Sequence, residues 1–408
     1  MARGPWSAEF VYGDRTKDDP TGSFNSDPLV AGQYERDRNL HAQIQYQDNF
    51  AGDTLQVSGR LFLSEQRFTG IFSYGSPFLS TGSSDWRGGE LRLLSTAIAH
   101  HKLMIGAEYQ YNARVDQTFE DQLAPINDIV INQSGHRLGV FAQDEWRIID
   151  ALTATLGVRL DRNSQSSTEA SPRAALIWQA TAESTFKALY GRARRAPNSF
   201  ERDYGDGVSQ VANPSLGDEV VNTAELVLDQ SIARDLGARA SIYRWKLNGL
   251  IRQGIDPVSG LAQFQSGDEV SAKGLELSAN KTWGWGGHLR GSLSLQSVSN
   301  ASGATEVNSP QRLIKLNFST PLPVADMRMG YELQYDSSRH TLNGTNLGGY
   351  ALSNIYLTTD RWLKGVELSA GIYNLFDKRY QQPAADNNWQ NSLEQDGRSA
   401  RIEARYKF

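Results

Sequence analysis

From Ser399 to Phe408 polar and apolar positions alternate without a break. Ala400, Ile402, Ala404, Tyr406 and Phe408 share one face of an extended segment, and Ser399, Arg401, Glu403, Arg405 and Lys407 share the other. Strand side chains point to opposite faces in turn, so this pattern predicts a strand with one apolar and one charged side. The same period recurs upstream. Leu103, Ile105, Ala107, Tyr109 and Tyr111 oppose Met104, Gly106, Glu108, Gln110 and Asn112. Leu152, Ala154, Leu156, Val158 and Leu160 oppose Thr153, Thr155, Gly157, Arg159 and Asp161. Leu275 and Leu277 oppose Glu276 and Ser278, and Leu289, Leu293 and Leu295 oppose Arg290, Ser292 and Ser294. No stripe of period 3.6 competes with it.

Counting from one turn signal to the next gives about 18 strands of ~10 or more residues, the length of a tilted membrane strand. The connections alternate too. Short turns are expected at 50–53, 99–101, 149–150, 180–184, 234–235 and 284–287. Longer polar loops are expected at 16–34, 75–84, 113–134, 162–170, 194–219, 299–309 and 381–396. Short connections on one side and long ones on the other are the layout of an outer-membrane barrel, with the short side periplasmic. The expected fold is therefore all-β: a transmembrane antiparallel up-and-down barrel, one domain over residues 1–408. Its first strand, about Trp6–Arg15, ascends to the outside because a long loop follows it, and its last strand ends at the periplasmic rim. Trp245, Trp283, Trp285 and Trp362 fall near expected strand ends or turns, as an interfacial aromatic girdle would.

Composition narrows the chemistry. The 408 residues include no cysteine, which excludes a disulfide scaffold, a Cys-based metal site and a cysteine nucleophile. The 41 basic against 46 acidic residues argue against a general nucleic-acid binder. No run of roughly 20 apolar residues marks a spanning helix. The first residues show no apolar signal-peptide core.

Three stretches resemble the TonB-dependent outer-membrane receptors. The first is Arg195-Ala196-Pro197 with Glu201, then Asn213-Pro214-Ser215-Leu216, then Thr223-Ala224-Glu225-Leu226. The second is Asn374-Leu375-Phe376-Asp377-Lys378-Arg379-Tyr380, and the third is Gly397-Arg398 leading into the last strand. The resemblance implies a 22-stranded barrel filled by an N-terminal plug that carries the TonB contact. Neither plug nor TonB-contacting segment is found among these residues, and the strand count falls about four short of that barrel. The expectation is the C-terminal portion of such a receptor, beginning near its fifth strand; a complete smaller barrel is the competing one. Tyr406 and Phe408 match the C-terminal aromatic signal read by the barrel assembly machinery.

Enzyme signatures are poor. His100-His101 has no further ligand at metal spacing, and Asp203, Asp206 and Asp256 match no calcium loop. No catalytic residue, metal site or cofactor is expected. The resemblance implies uptake of a scarce nutrient, first a ferric siderophore, then cobalamin or a glycan, with TonB acting only through a plug. A passive 18-stranded porin and a soluble β-rich binding protein or hydrolase are the rivals. Ligand capture is expected from extracellular loops, at Arg194, Arg195, Asn198, Phe200 and Tyr204, at Gln382, Asn387, Asn388 and Trp389, and at Tyr74, Phe78 and Trp86. Arginine supplies a fixed donor fork and rings supply apolar contact, which suits a planar, anionic, oxygen-rich chelate. Arg159, Glu276, Arg290, Glu367, Arg401, Glu403 and Arg405 lie on polar strand faces and are candidates for lining the lumen and holding a plug. The expected surroundings are outer-membrane lipid.

Overall fold

The computed structural model describes residues 2–19, 21–124, 129–206, 209–324, 326–385 and 388–407. The expected Asn387 and Phe408 lie outside them. Eighteen long strands follow one another in one antiparallel sheet, each bonded to the next in sequence. They are β1 (Trp6–Asp18), β2 (Tyr34–Phe50), β3 (Leu55–Ser73), β4 (Pro77–Ser95), β5 (His101–Asp121) and β6 (Ile129–Ile149). Then come β7 (Leu152–Asn163), β8 (Glu169–Gln179), β9 (Ser184–Arg195), β10 (Glu219–Ala233), β11 (Leu236–Asn248) and β12 (Val270–Thr282). The last six are β13 (His288–Asn300), β14 (Arg312–Pro321), β15 (Arg328–Asp336), β16 (Tyr350–Leu363), β17 (Val366–Tyr373) and β18 (Ser399–Tyr406).

The outer face is apolar and open to the surroundings. Phe10 is 67% exposed, Leu61 65%, Leu156 60% and Ile242 53%. Water would penalise so continuous a display of large side chains, and lipid does not. The inner face is polar. One small cluster of buried apolar residues, Val270, Ala272 and Val298 with Trp245 and Leu250 against it, lies behind the upper ends of β11–β13. Trp245, expected from the sequence to join a girdle, instead pairs with Ala272 on this inner side. Its place near a strand end is shared by both faces, and only register separates them. A girdle does form at the short-turn rim. Trp6 packs on Tyr46 at 4.9 Å, Trp178 on Phe186 at 5.7 Å and Trp283 on Trp285 at 5.6 Å, with Trp362 and Tyr406 exposed at the same end.

Two connections expected to be long are not. The segment 75–84 is largely strand, because β3 and β4 stay paired up to Ser73↔Pro77 and turn at 74–76, where Gly75 takes φ +91°. Trp86 therefore lies within β4, in register with Ser64 and Asn112. Likewise β5 and β6 extend far into 113–134. These upper segments project beyond the apolar band, where neither face need be hydrophobic, so the alternation that marks a strand is lost. Two long connections were not read from the sequence: 249–269, with the hairpin Ile251–Ile255/Ala262–Ser266, and 337–349.

Among the described residues no ladder joins β1 to β18. Instead the two-residue strand Ala2–Arg3 folds back on the lower end of β1, pairing with Ser7 and Trp6. At the top, the loop after β1 meets the loop before β18. Ser23 bridges Asn388, and the Trp389 N–H donates to the Gly22 carbonyl at 3.0 Å. The inward placement of Trp245 has a direct check. In vesicles whose acyl chains carry bromine, a variant retaining only Trp178 should be strongly quenched and one retaining only Trp245 should not. Equal quenching of the two would contradict the register.

Candidate ligand-binding mouth

The loop between β9 and β10 is built around α1 (Ser199–Asp203). Asn198 caps this helix: its side chain accepts from the Glu201 N–H at 2.8 Å, while Glu201 accepts from the Asn198 N–H at 2.9 Å. This reciprocal capping box fixes a turn too short to be stable alone. Glu201 also accepts from both terminal Arg195 guanidinium nitrogens, at 2.9 and 3.0 Å, and Arg195 donates through Nε to Glu219 at 2.6 Å. Glu219 accepts a further bond from the Ile251 N–H at 2.9 Å. Burial works against its charge, yet Arg195 and the Ile251 amide hold its carboxyl below the usual range. Beside it Arg194 pairs with Asp218 at 2.8 Å, both nearly buried. Burial raises the Asp218 carboxyl despite that arginine.

The neighbouring hairpin is tied down as well. Asn213 Nδ2 donates to the Phe264 carbonyl at 2.9 Å, and Leu216 is buried. Phe200 packs against Tyr204 at 4.7 Å, Phe264 at 5.8 Å and Phe119 of β5 at 6.2 Å. Burial in this cluster pushes the Tyr204 hydroxyl well above its ordinary value. Thus Arg194, Arg195, Asn198, Phe200 and Tyr204, all expected from the sequence, come together as the frame of one folded loop.

A cavity of about 840 Å³ opens between this frame and the inner wall of β5–β7, lined by Arg194, Arg195, Asn198 and Phe200 and by Glu108, Arg137, Arg159 and Asp161. Arg159 donates through Nε to both Asp161 oxygens at 2.8 and 2.9 Å, reaches Glu108 at 3.4 Å and lies over the Phe141 ring. Arg137 donates to Glu108 at 2.7 Å and to Gln110 at 3.1 Å. Arg137 was not singled out from the sequence, because the Gly-rich start of β6 shows little alternation.

The remaining expected residues lie elsewhere. Arg401 and Arg405 flank Glu403 on β18 at 3.4 and 3.1 Å, and Glu367 pairs with Lys407 at 3.1 Å. Glu276 and Arg290 line the wall of β12 and β13, with no ion pair among the described residues. Phe78 packs edge-on against Tyr74 at 5.3 Å. Trp389 is exposed beside Gly22, and Gln382 donates to the Tyr350 hydroxyl at 3.0 Å.

The run Asn374–Tyr380 acts as a lock. Asn374 has φ +49° and is buried. Its side chain accepts from the Lys378 N–H at 2.8 Å and donates to the carbonyls of Lys378 and Asp396 at 2.9 and 3.3 Å, and its own N–H donates to Asn354 at 2.9 Å. Asp377 accepts the Arg398 N–H at 2.8 Å. A side chain at Gly397 would meet that same carboxylate at 2.7 Å. The turn leaving β17 is thereby pinned to the chain entering β18.

Replacing Asn374 by alanine should lower unfolding stability by about 2–4 kcal/mol, since several bonds to buried backbone are lost together. A urea titration from detergent checks this, and Asn374→Gly should recover only the part owed to positive φ. Asp377 gives a pH signature. The Arg398 N–H, opposed by slight desolvation, holds its carboxyl below 3.8. Its contribution is present above that unfolded value and is lost as pH falls through the lower folded one. Asp377→Asn should therefore lower stability at neutral pH and flatten its fall at the acid end, as urea titrations across pH would show.

Comparison with known proteins adds the following. The family model described as TonB dependent receptor-like, beta-barrel matches residues 2–375. Vitamin B12 transporter BtuB of Vibrio cholerae serotype O1 is 25% identical over 306 residues, 70% of this chain and 46% of that protein. The chain thus spans about half the length of the curated relatives it matches. Among solved structures, the ferric citrate transporter FecA is similar with TM-score 0.77 at 14% identity, over 98% of this chain and 66% of that one. The ferric yersiniabactin uptake receptor FyuA from Yersinia pestis gives TM-score 0.77 at 13% identity, over 99% and 68%. Copper transporter OprC gives 0.74 at 16% identity, over 92% and 66%. At these identities the structures speak for the fold alone.

Proposed function

Because the chain belongs to the TonB dependent receptor-like β-barrel family and so to the bacterial outer membrane, we propose that it forms the barrel of a receptor that takes up a scarce nutrient, in first place a ferric siderophore. The observation that carries this reading is the mouth cavity. Its volume, about 840 Å³, lies in the range of small-molecule sites, and four arginines and Phe200 face it against two carboxylates, Glu108 and Asp161. An anionic chelate with several oxygens would compete with those carboxylates for the forks of Arg137 and Arg159, while Phe200 gives it an apolar surface. Inward release falls to a plug domain energised by TonB, which the inner polar wall would hold. Arg401, Glu403, Arg405, Glu367, Glu276 and Arg290 are the proposed wall contacts. Tyr406 is proposed as part of the signal for barrel assembly. The reading assigns no catalytic step and no cofactor to the chain.

Cobalamin is the second reading, favoured by the similarity to a vitamin B12 transporter. Titration of the detergent-solubilised protein with ferric catecholate, hydroxamate and citrate complexes and with cyanocobalamin, followed by calorimetry, separates the two. Saturable binding of one ferric complex, weakened roughly tenfold by Arg159→Ala, is the expected result. Binding of cyanocobalamin alone would replace the first reading with the second. Large steady currents in planar bilayers, with no binding of any of these ligands, would favour a passive channel.

A further inference from the structure

Several outward cations above the apolar band have carboxylate partners. Arg36 holds Asp14 at 2.7 Å, Arg67 holds Glu65 and Asp85 at 2.9 and 2.7 Å, and Arg114 holds Asp85 at 2.9 Å. One place differs. On β11 and β12, Arg244 and Lys273 stand directly opposite each other in the ladder, both exposed. Among the described residues neither is joined to a carboxylate. Lys246, one step higher on the same face, is held by Glu269 at 2.8 Å. Like charges directly opposed across a ladder repel and lower stability unless a counter-charge lies between them.

The level of this pair matters. The row below it is Leu226, Ile242, Leu275 and Leu295, consecutive cross-strand partners of which Leu226 and Ile242 are the more exposed. That row belongs to the lipid-facing band. The row of the pair itself continues into Tyr190 and Ala224 on one side and Ser297 on the other. Because β11 starts at a short turn, Arg244 and Lys273 lie toward the long-loop end, at the border of the outer leaflet. Behind them the wall is stiffened by Trp245, Val270, Ala272 and Val298.

We infer that Arg244, Lys273 and Lys246 form a binding site on the outer wall for the phosphate of a phosphorylated lipid headgroup in the outer leaflet. A phosphate between Arg244 and Lys273 would turn their repulsion into two charge-assisted contacts, while the lipid's acyl chains run down over Ile242 and Leu275. Charge complementarity and the apolar row beneath select a lipid rather than a free anion.

Thermal unfolding of the detergent-purified protein tests this, using a diphosphorylated lipid A, the same lipid stripped of phosphate, and inorganic phosphate as probes. The diphosphorylated lipid should raise the unfolding temperature of the unmodified protein and the other two should not. The double variant Arg244→Ser/Lys273→Ser should bind the diphosphorylated lipid roughly tenfold or more weakly. Without lipid it should melt no lower than the unmodified protein, because repulsion has been removed, which separates lost binding from failed folding. An equal rise with the phosphate-free lipid or with inorganic phosphate overturns the assignment. So does undiminished binding by the double variant, or a lower melting point of that variant without lipid.

Discussion

A polypeptide that crosses hydrocarbon must satisfy every backbone N–H and C=O within itself, since lipid offers no partner. An unbroken meander of antiparallel strands does this here, each strand bonded to the one before and the one after. Most of what is seen elsewhere follows from that ladder. It forces side chains to alternate between lipid and lumen, so most large apolar residues end up outside, and among the described residues a small buried cluster forms inside. It places short turns at one end and leaves the other end free for long loops. It also makes β1 and β18 special, because each has a long-strand neighbour on one side only among the described residues. The fold treats these edges unequally. Ala2–Arg3 covers the lower part of β1, and the first and last long loops touch across the top.

The long loops obey a different rule. They project into water, where no band of lipid imposes order, and they are held by specific polar bonds. Glu219 gathers Arg195 and the Ile251 amide, and Glu201 both caps a helix and grips Arg195. Asn374 and Asp377 do the same for the final loop. Arg195, Glu201, Asn374 and Asp377 belong to the stretches by which the family is recognised in the sequence, and their roles here are structural. They set the shape of the mouth, while Arg137, Arg159, Glu108 and Asp161 on the strands supply the charge facing the cavity.

The outer wall carries chemistry as well. On β1–β5 several cations and carboxylates match one another across strands above the lipid-facing band. The Arg244–Lys273 pair departs from that balance at the level where lipid headgroups begin. The barrel thus presents two cationic settings of different kinds, one to the mouth and one to the membrane.

The strand count, the up-and-down order and the lipid-facing residues could all be read from the alternation of the sequence. The band of lipid acts on each strand residue separately and leaves a local, period-two record. Where strands rise above that band the record fades, so the pairing of β3 with β4 through 75–84 and the place of Trp86 were visible only once the ladder was formed. The same limit applied to Trp245, whose face depends on register with Ala272. Loop residues such as Arg194 and Phe200 could be named as candidates from their type. That they frame one cavity with Arg137 and Arg159, which are far away in sequence, was decided by tertiary structure, because such encounters depend on which strands become neighbours and how the loops above them fold back.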